Sequence, residues 1–480
     1  MIILSSILMG ISQHPLGLGF LAYFALIPIL SRLEYLKSYK DALKIGFYWG
    51  AIYNLITIYW IASNIGTSSI IAFITMIISV LIVTTIPVIV FCLLCMMNKR
   101  GVNIYILALI WPAVELIRSW GLLAFPWVSL SNSQIEYSNL IQNIEYVGMF
   151  GITFFIILIN IMIYRLIMNR TSKDVLILIV CIIVPILSGK LIMNLHLKSN
   201  HVDEVTIRTV QPNIHLSEKR NESENIIIDR MISQSQENLN ENLDLIVWPE
   251  TSFTASYIAE KRIKSLLNRI DKKLISGILY FKDKENYYNS AAYFDRRDET
   301  RMYHKIHLVP GAEYVPFSKY LNSLEFLNFG VGNFSHGDEY TLFELNGYKF
   351  ATMICLESIF PQYSRNFVRE GANFLIYIVN DGWYENPPEP QQHASRLIYR
   401  SIETRRPIIR CANTGISMAV NEYGNIISEL DLNKKGNMDV TIYPSNKITF
   451  YVKFGDIFIY FMMLVIVLCM FKRVRYEEYV

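Results

Sequence analysis

From Ser69 to Met97 the chain carries no Asp, Glu, Lys or Arg. An apolar run of about 20 residues crosses a bilayer as a helix, because a helix satisfies its own backbone polar groups. This stretch excludes a wholly soluble fold. Further apolar runs cover Ile45–Ser63, Ile104–Trp120, Val147–Met168, Val175–Ile192 and Phe454–Phe471. Two shorter runs, Met1–Ile11 and Leu16–Leu30, flank a turn at His14-Pro15. The first is short for a span, yet it lacks the basic start and small-residue cleavage site of a signal peptide. It reads as a shortened first helix, and the expectation is about eight membrane helices.

Basic residues orient these spans. Arg32, Lys37, Lys40 and Lys44 follow the second run, Lys99 and Arg100 the fourth, Arg165, Arg170 and Lys173 the sixth. Lys472, Arg473 and Arg475 follow the last. The alternate loops, Asn64–Ser68 and Gly121–Glu145, hold no Lys or Arg. The positive-inside rule then places both termini in the cytoplasm, and everything between the seventh and eighth spans outside it.

Only 18% of the 480 residues are charged, against about 25% in soluble domains. The deficit ends near Lys198; from His201 to Lys447 the chain reads as a soluble domain. Three parts are expected: a transmembrane domain at 1–198, an extracytoplasmic domain at 203–448 and a final span at 454–472. The net charge of +3 gives no basis for a nucleic-acid partner. Cys92, Cys95, Cys181 and Cys469 lie in apolar runs, so the six cysteines form no disulfide framework. Cys92 and Cys95 read as small hydrophobes rather than as a redox or zinc pair.

The polar part alternates strands and helices. Val205–Val210, Leu245–Trp248, Lys273–Tyr280, Tyr288–Phe294, Lys349–Ile354, Asn373–Val379 and Ile408–Ala412 read as strands. Pro361–Glu370 and Gln391–Arg405 read as helices, and Asn421–Asn425 as a hairpin turn. This pattern predicts an α/β domain in which active groups gather where strands end.

Three reactive residues sit at such ends. Glu250 follows the apolar run Leu245–Trp248 and Pro249. A carboxylate held rigidly there, partly out of water, suits a general base; a helix cap or surface acid is an equal alternative. Lys305 lies in Tyr303-His-Lys-Ile-His-Leu-Val-Pro310, where a strand puts Lys305 and His307 on one face and His304 on the other. The histidines are thus badly placed as a metal pair. A lysine in an apolar strand needs a partner, and it suits an oxyanion donor; a solvated surface lysine is the plainer alternative. Cys355 ends Thr352-Met-Ile-Cys355 just before a helix. Such a turn presents a nucleophile beside backbone N–H groups. A buried inert thiol is commoner, but the nearby Glu357 is an odd neighbour for one.

In the order Glu, Lys, Cys, these residues resemble the catalytic set of the nitrilase, or carbon–nitrogen hydrolase, superfamily. Further motifs are similar to the apolipoprotein N-acyltransferase family. They include Trp248-Pro-Glu-Thr251, Tyr303 through Pro316, Asn380-Asp-Gly-Trp-Tyr384, Gln392-His393, Ile402-Glu-Thr-Arg-Arg-Pro407 and Asn413-Thr-Gly-Ile-Ser417. Phe125-Pro-Trp127, Trp111…Glu115…Arg118-Ser-Trp120 and Phe454-Gly-Asp456 extend the likeness into the apolar parts. The resemblance implies an αββα sandwich and an acyltransferase with Glu250 as base, Lys305 as oxyanion-stabilising cation and Cys355 as nucleophile. It implies supporting acids at Glu313 and Glu357 and no metal or other cofactor. A membrane phospholipid would be the acyl donor, and the S-diacylglyceryl cysteine of an apolipoprotein the acceptor. A single copy suffices for that mechanism. The implied location is the bacterial inner membrane, with the catalytic domain in the periplasm. The chain departs from the family at Leu356, where Tyr is usual, and at Lys219-Arg220, where a Trp is usual nearby.

The aromatic segments Gly121–Val128 and Phe326–Phe334 are candidates for acyl-chain contact or a lid, with interfacial packing as the plainer reading. Glu115 and Arg118 are spaced to pair on one helix. Two rivals stand beside the acyltransferase. A membrane-anchored amidase would use the same triad with water as acceptor. A transporter would need charged residues along its spans, and these are nearly charge-free.

Overall fold

A computed structural model describes residues 1–121, 123–196, 203–283, 286–295, 299–314, 333–384 and 388–471. The chain divides into two units. One is helical and comprises Met1–Ala62, Ala72–Lys198 and Phe454–Val480; the other comprises Ser63–Ile71 and Ser199–Lys453.

Among the described residues, four helices are long and apolar enough to cross a membrane: Tyr39–Ser63, Ser69–Lys99, Ile144–Asn169 and Ser172–Leu195. Ile2–Ile11 and Ile457–Met470 are apolar but shorter, and Ile106–Arg118 has 13 residues. The run at Leu16–Leu30, expected as one span, is broken into a 3₁₀ turn at Gly19–Tyr23 and a helix at Ile27–Glu34. Pro28 lies in the first turn of that helix. The buried Asn160 satisfies backbone groups freed by the break: its Oδ1 accepts from Leu26 N at 2.8 Å, and its Nδ2 donates to Ala22 O at 2.8 Å.

Small residues let two of the long helices touch. A Cβ at Gly46 would lie 2.6 Å from Val88 Cα, and one at Gly50 would lie 2.4 Å from Pro87 Cγ. This is close small-residue packing of the kind that replaces the hydrophobic effect in lipid. The expected Glu115–Arg118 pair does not form. Glu115 accepts from Leu130 N at 2.9 Å and Thr153 Oγ1 at 2.7 Å; Arg118 donates to the Leu123 carbonyl. Trp127 and Val128 are buried, with Trp127 against Trp60 at 5.0 Å between ring centres. That part of the 121–128 segment is packing within the helical unit. Most of Phe326–Phe334 lies outside the described residues.

The second unit holds two sheets. Its strands are β1 (Val205–Gln211), β2 (Leu245–Val247), β3 (Phe253–Thr254), β4 (Lys273–Phe281), β5 (Tyr287–Phe294), β6 (Arg301–His304), β7 (Phe343–Leu345), β8 (Tyr348–Ile354), β9 (Phe374–Val379), β10 (Ile408–Ala412), β11 (Ser417–Val420), β12 (Ile426–Leu430) and β13 (Gly436–Ile442). The first sheet runs β13-β1-β2-β4-β5-β6 with β3 beside β4; the second runs β12-β11-β10-β9-β8-β7. Parallel pairs β1–β2, β2–β4, β8–β9 and β9–β10 form the centres. Antiparallel pairs complete the edges: the hairpins β5–β6, β7–β8 and β11–β12, the last through the expected turn at Asn421–Asn425, and β13 against β1, distant in the chain.

Period-two alternation sorts the side chains. Leu245 and Val247 enter the core shared by the two sheets, with Phe350, Ile376 and Ile409. Ile246 and Trp248 point the other way, toward the helices Glu224–Gln236 and Tyr257–Ile270. Both faces of β2 are thus apolar, which explains its continuous run. Phe367 and Leu397, from the helices Pro361–Arg369 and Glu389–Thr404, join the core on the far side of the second sheet. The layers are helix, sheet, sheet, helix.

Candidate active site

The chain beyond β2 is pinned by its neighbour β4. Gly277 N donates to Pro249 O at 3.1 Å, and Ser252 N donates to Gly277 O at 2.9 Å. Only glycine fits at 277, because a Cβ there would lie 2.5 Å from Glu250 Cα. Glu250 is buried. Its Oε1 accepts from Asn289 Nδ2 at 2.8 Å and Lys305 Nζ at 3.3 Å; its Oε2 accepts from Asn380 N at 2.9 Å.

Lys305 lies just past the end of β6, not within a strand continuing to Leu308. Its N–H still donates to Asn289 O at 2.9 Å. The next two N–H groups, of Ile306 and His307, turn to Glu357 Oε1 at 2.8 and 3.1 Å. That carboxylate ends the ladder, so Lys305 and His307 do not share a strand face. The two histidines diverge as expected. His304 meets Ser290 Oγ at 2.8 Å, and His307 meets Tyr363 Oη at 3.1 Å. Lys305 is 1% exposed, with Nζ 2.8 Å from Glu313 Oε1. Burial alone would lower the ammonium, but Glu313 and Glu250 outweigh it and hold Lys305 above its ordinary range. Glu313 is steadied in turn by Asn289 Nδ2 at 3.0 Å and Val309 N at 2.8 Å.

Cys355 follows β8 in the left-handed region, at φ +50°. A 3₁₀ turn, Cys355–Ile359, leads to the helix Pro361–Arg369. Leu356 is buried in that turn. Burial and the Glu250 carboxylate push the thiol well above its ordinary range, against the pull of Lys305. Glu357 is fully buried. Besides the two N–H groups after Lys305, it accepts from Ile354 N at 2.7 Å and the Tyr303 hydroxyl at 2.6 Å. It therefore ties the turn bearing Cys355 to the segment bearing Lys305. Burial raises its carboxyl above the usual range.

The fold brings Glu250, Lys305, Glu313 and Glu357, all buried, together with the partly exposed Cys355. It adds residues to which sequence reasoning gave no role. Asn289 bridges the two carboxylates that flank Lys305. The signal for it was an amide in the middle of the aromatic and apolar strand Tyr287–Phe294. Asp381 and His393 form a second buried pair, at 2.9 Å, beneath the cysteine turn. With Glu389 they have the donor types of a metal site. However, the Arg410 guanidinium donates to Asp381 Oδ2 at 2.7 Å and lies 3.3 Å from His393 Nδ1. It fills the position a metal cation would take, so this donor set does not fit a metal. Lys219, one of the departures, donates to Thr251 O at 3.0 Å. Burial pushes it down to about 8, against the attraction of Glu250.

The match to known proteins covers both units. The description "Apolipoprotein N-acyltransferase N-terminal domain" fits residues 5–162, and "Carbon-nitrogen hydrolase" fits residues 206–446. The apolipoprotein N-acyltransferase of Geobacter metallireducens is 29% identical over 95% of this chain and 92% of its own length. That of Rickettsia bellii is 30% identical over 95% of this chain and 94% of its own. Among solved structures, Saccharomyces cerevisiae Nit3, a member of the nitrilase superfamily, aligns with a TM-score of 0.42 and 15% identity, covering 51% of this chain and 93% of that one. With full-length relatives on both sides of that domain boundary, the chain belongs to the apolipoprotein N-acyltransferase family, and its two-sheet unit to the carbon–nitrogen hydrolases.

Proposed function

We propose that the chain completes lipoprotein acylation: it moves an acyl chain from a membrane phospholipid, through a thioester on Cys355, to the α-amino group of an S-diacylglyceryl cysteine. The observation that carries this reading is the buried Glu250–Lys305–Glu313 cluster, in whose field the Cys355 thiol sits.

Glu250 takes the thiol proton, which burial otherwise keeps on sulfur. The thiolate attacks the ester carbonyl, and a C–S bond forms. Lys305 stays charged between two carboxylates and stabilises the oxyanion. The Leu356 N–H, at the start of a 3₁₀ turn, serves as the second donor. Collapse breaks the ester C–O bond, and Glu250 returns the proton to the departing lysophospholipid. The acceptor amine then attacks the thioester; a C–N bond forms, the C–S bond breaks, and Glu250 carries the amine proton to sulfur. No metal or other cofactor takes part in these steps. Glu313 and Glu357 hold the lysine and the cysteine turn.

The membrane reading belongs to the same proposal. Eight helices cross the inner membrane, with the broken second and short first among them, within a transmembrane part at 1–198 and a closing span at 454–472. Both termini are cytoplasmic, and the catalytic part at 203–448 is periplasmic. One copy is sufficient.

The test is mass spectrometry of the purified chain incubated with phospholipid, beside Cys355→Ala. The expected result is one acyl adduct on the Cys355 peptide, absent in the variant and discharged by a diacylglyceryl peptide. Folded protein that gains no adduct from varied phospholipids rejects the donor and favours hydrolysis of a small amide.

A further inference from the structure

The peptide that follows Cys355 needs an external hold. Its cysteine lies at φ +50°, a region disfavoured for residues with a Cβ. Below this turn sits His393, which is 2% exposed. Its Nε2 lies 3.2 Å from the Cys355 carbonyl oxygen and 2.9 Å from Ser358 Oγ, at the other side of the same turn. The Asp381 carboxylate accepts from Nδ1–H, so the ring donates from Nε2 to the Cys355 carbonyl as the imidazolium and, as the neutral ring, accepts at Nε2 from the Ser358 hydroxyl. The first holds the Cys355 oxygen directly; the second holds the same turn through Ser358. The ring itself is held at Nδ1 by Asp381 Oδ1 at 2.9 Å. Asp381 is fixed by Arg410 at 2.7 Å, and is backed so closely by Gly415 that a Cβ there would lie 2.2 Å from its Oδ2.

A trans peptide is planar, and its C=O and N–H point in opposite directions. Holding the Cys355 oxygen, or the turn Cys355–Ile359 through Ser358, therefore sets the direction of the Leu356 N–H. That N–H is the oxyanion donor of the acyl-transfer reading, on which this inference rests. We infer that His393, seated on Asp381, is a positioning residue that aims the Leu356 N–H at the oxyanion. It is not the base, since its Nε2 faces the backbone and Ser358, and Glu250 serves that role.

The test uses detergent-solubilised full-length protein and two reactions of the same sulfur. Acylation by a p-nitrophenyl ester passes through an oxyanion; alkylation by iodoacetamide does not. In His393→Ala, the acylation rate should fall about 10- to 100-fold, as for part of the loss of an oxyanion donor. Alkylation of the Cys355 peptide should change little, and KM for the ester should hold while kcat falls. His393→Gln places an amide near the Nε2 position and should restore much of the rate. His393→Asn places one near Nδ1 and should not; this pair decides the question even where the alanine variant fails to fold. Unchanged acylation in His393→Ala, alkylation falling in step with acylation, or equal rescue by Asn and Gln would overturn the inference. So would a parental protein that takes no acyl group from the ester. Acylation by the ester but not by phospholipid would sink the donor assignment while leaving the His393 comparison intact.

Discussion

Glu313 is the nearer carboxylate partner of Lys305, at 2.8 Å against 3.3 Å for Glu250. The lysine is thus held chiefly by an acid outside the proposed triad, which leaves Glu250 freer to exchange protons. Glu313→Gln keeps the shape and removes the charge. It should lower the rate of acyl transfer by about 10- to 1,000-fold, the range for losing a preorganised electrostatic group. Single-turnover thioester formation followed by mass spectrometry checks this. A rate within a few-fold of the parent would show that Glu250 alone holds the lysine.

The Glu250 carboxylate has two opposed effects on Cys355. As the proposed base it drives acylation, yet its negative charge also raises the thiol. Glu250→Gln should therefore abolish acylation while making Cys355 more reactive to iodoacetamide at pH 8, because removing a like charge favours the thiolate. Peptide-resolved alkylation rates against pH would read this directly. Slower alkylation in the variant would mean that Glu250 also activates the thiol in the resting state.

Gly277→Ala tests the seat of the base. Its Cβ would press on Glu250 Cα at 2.5 Å and on Pro249 O at 2.6 Å. The backbone must shift, at a cost of about 1–3 kcal/mol for overpacking. A displacement near 1 Å should cost about 10²-fold in rate. The expected outcome is a lower Tm together with a disproportionate loss of kcat. An unchanged kcat would show that Glu250 is placed by other contacts.

Lys219 gives a pH signature. Burial holds its ammonium down to about 8, below the lysine reference near roughly 10.4. Between those values the unfolded chain binds more protons, so this residue makes stability rise with pH. Below about pH 8 the buried charge is a constant cost. Lys219→Met should therefore raise Tm near pH 7, and the gain over the parent should shrink as pH climbs through that window. Thermal unfolding of both proteins across the range settles it. A gain independent of pH would assign the effect to packing.

The position of this candidate site was largely legible in the sequence because it lies at strand ends. Leu245–Trp248, Lys349–Ile354 and Ile408–Ala412 are apolar runs bounded by polar residues, and each forms a strand where expected. Lys305 was placed correctly near a strand but wrongly inside it. The residue that stops the ladder, Glu357, lies about fifty positions onward, and only the fold brings its oxygens to Ile306 and His307. Asn289, Asp381 and His393 gave no role when read alone, because each acts by bridging groups far apart in the chain. In the helical unit, the short run at Leu16–Leu30 hid a break, since its compensation comes from Asn160 on another helix.

The segment Ser63–Ile71 lies between two long apolar helices, yet it belongs to the two-sheet unit. There Ile65 N donates to Trp383 O at 3.0 Å, and Asn64 Nδ2 donates to the Tyr384 hydroxyl at 3.3 Å. Gly66 leaves so little room that a Cβ would lie 2.4 Å from the Trp383 ring. The catalytic unit is therefore discontinuous along the gene. A truncation beginning after the seventh apolar run would omit the strip that packs against Trp383. Two contiguous stretches of sequence cannot be exchanged between relatives as independent modules here, because each carries a piece of the other's architecture.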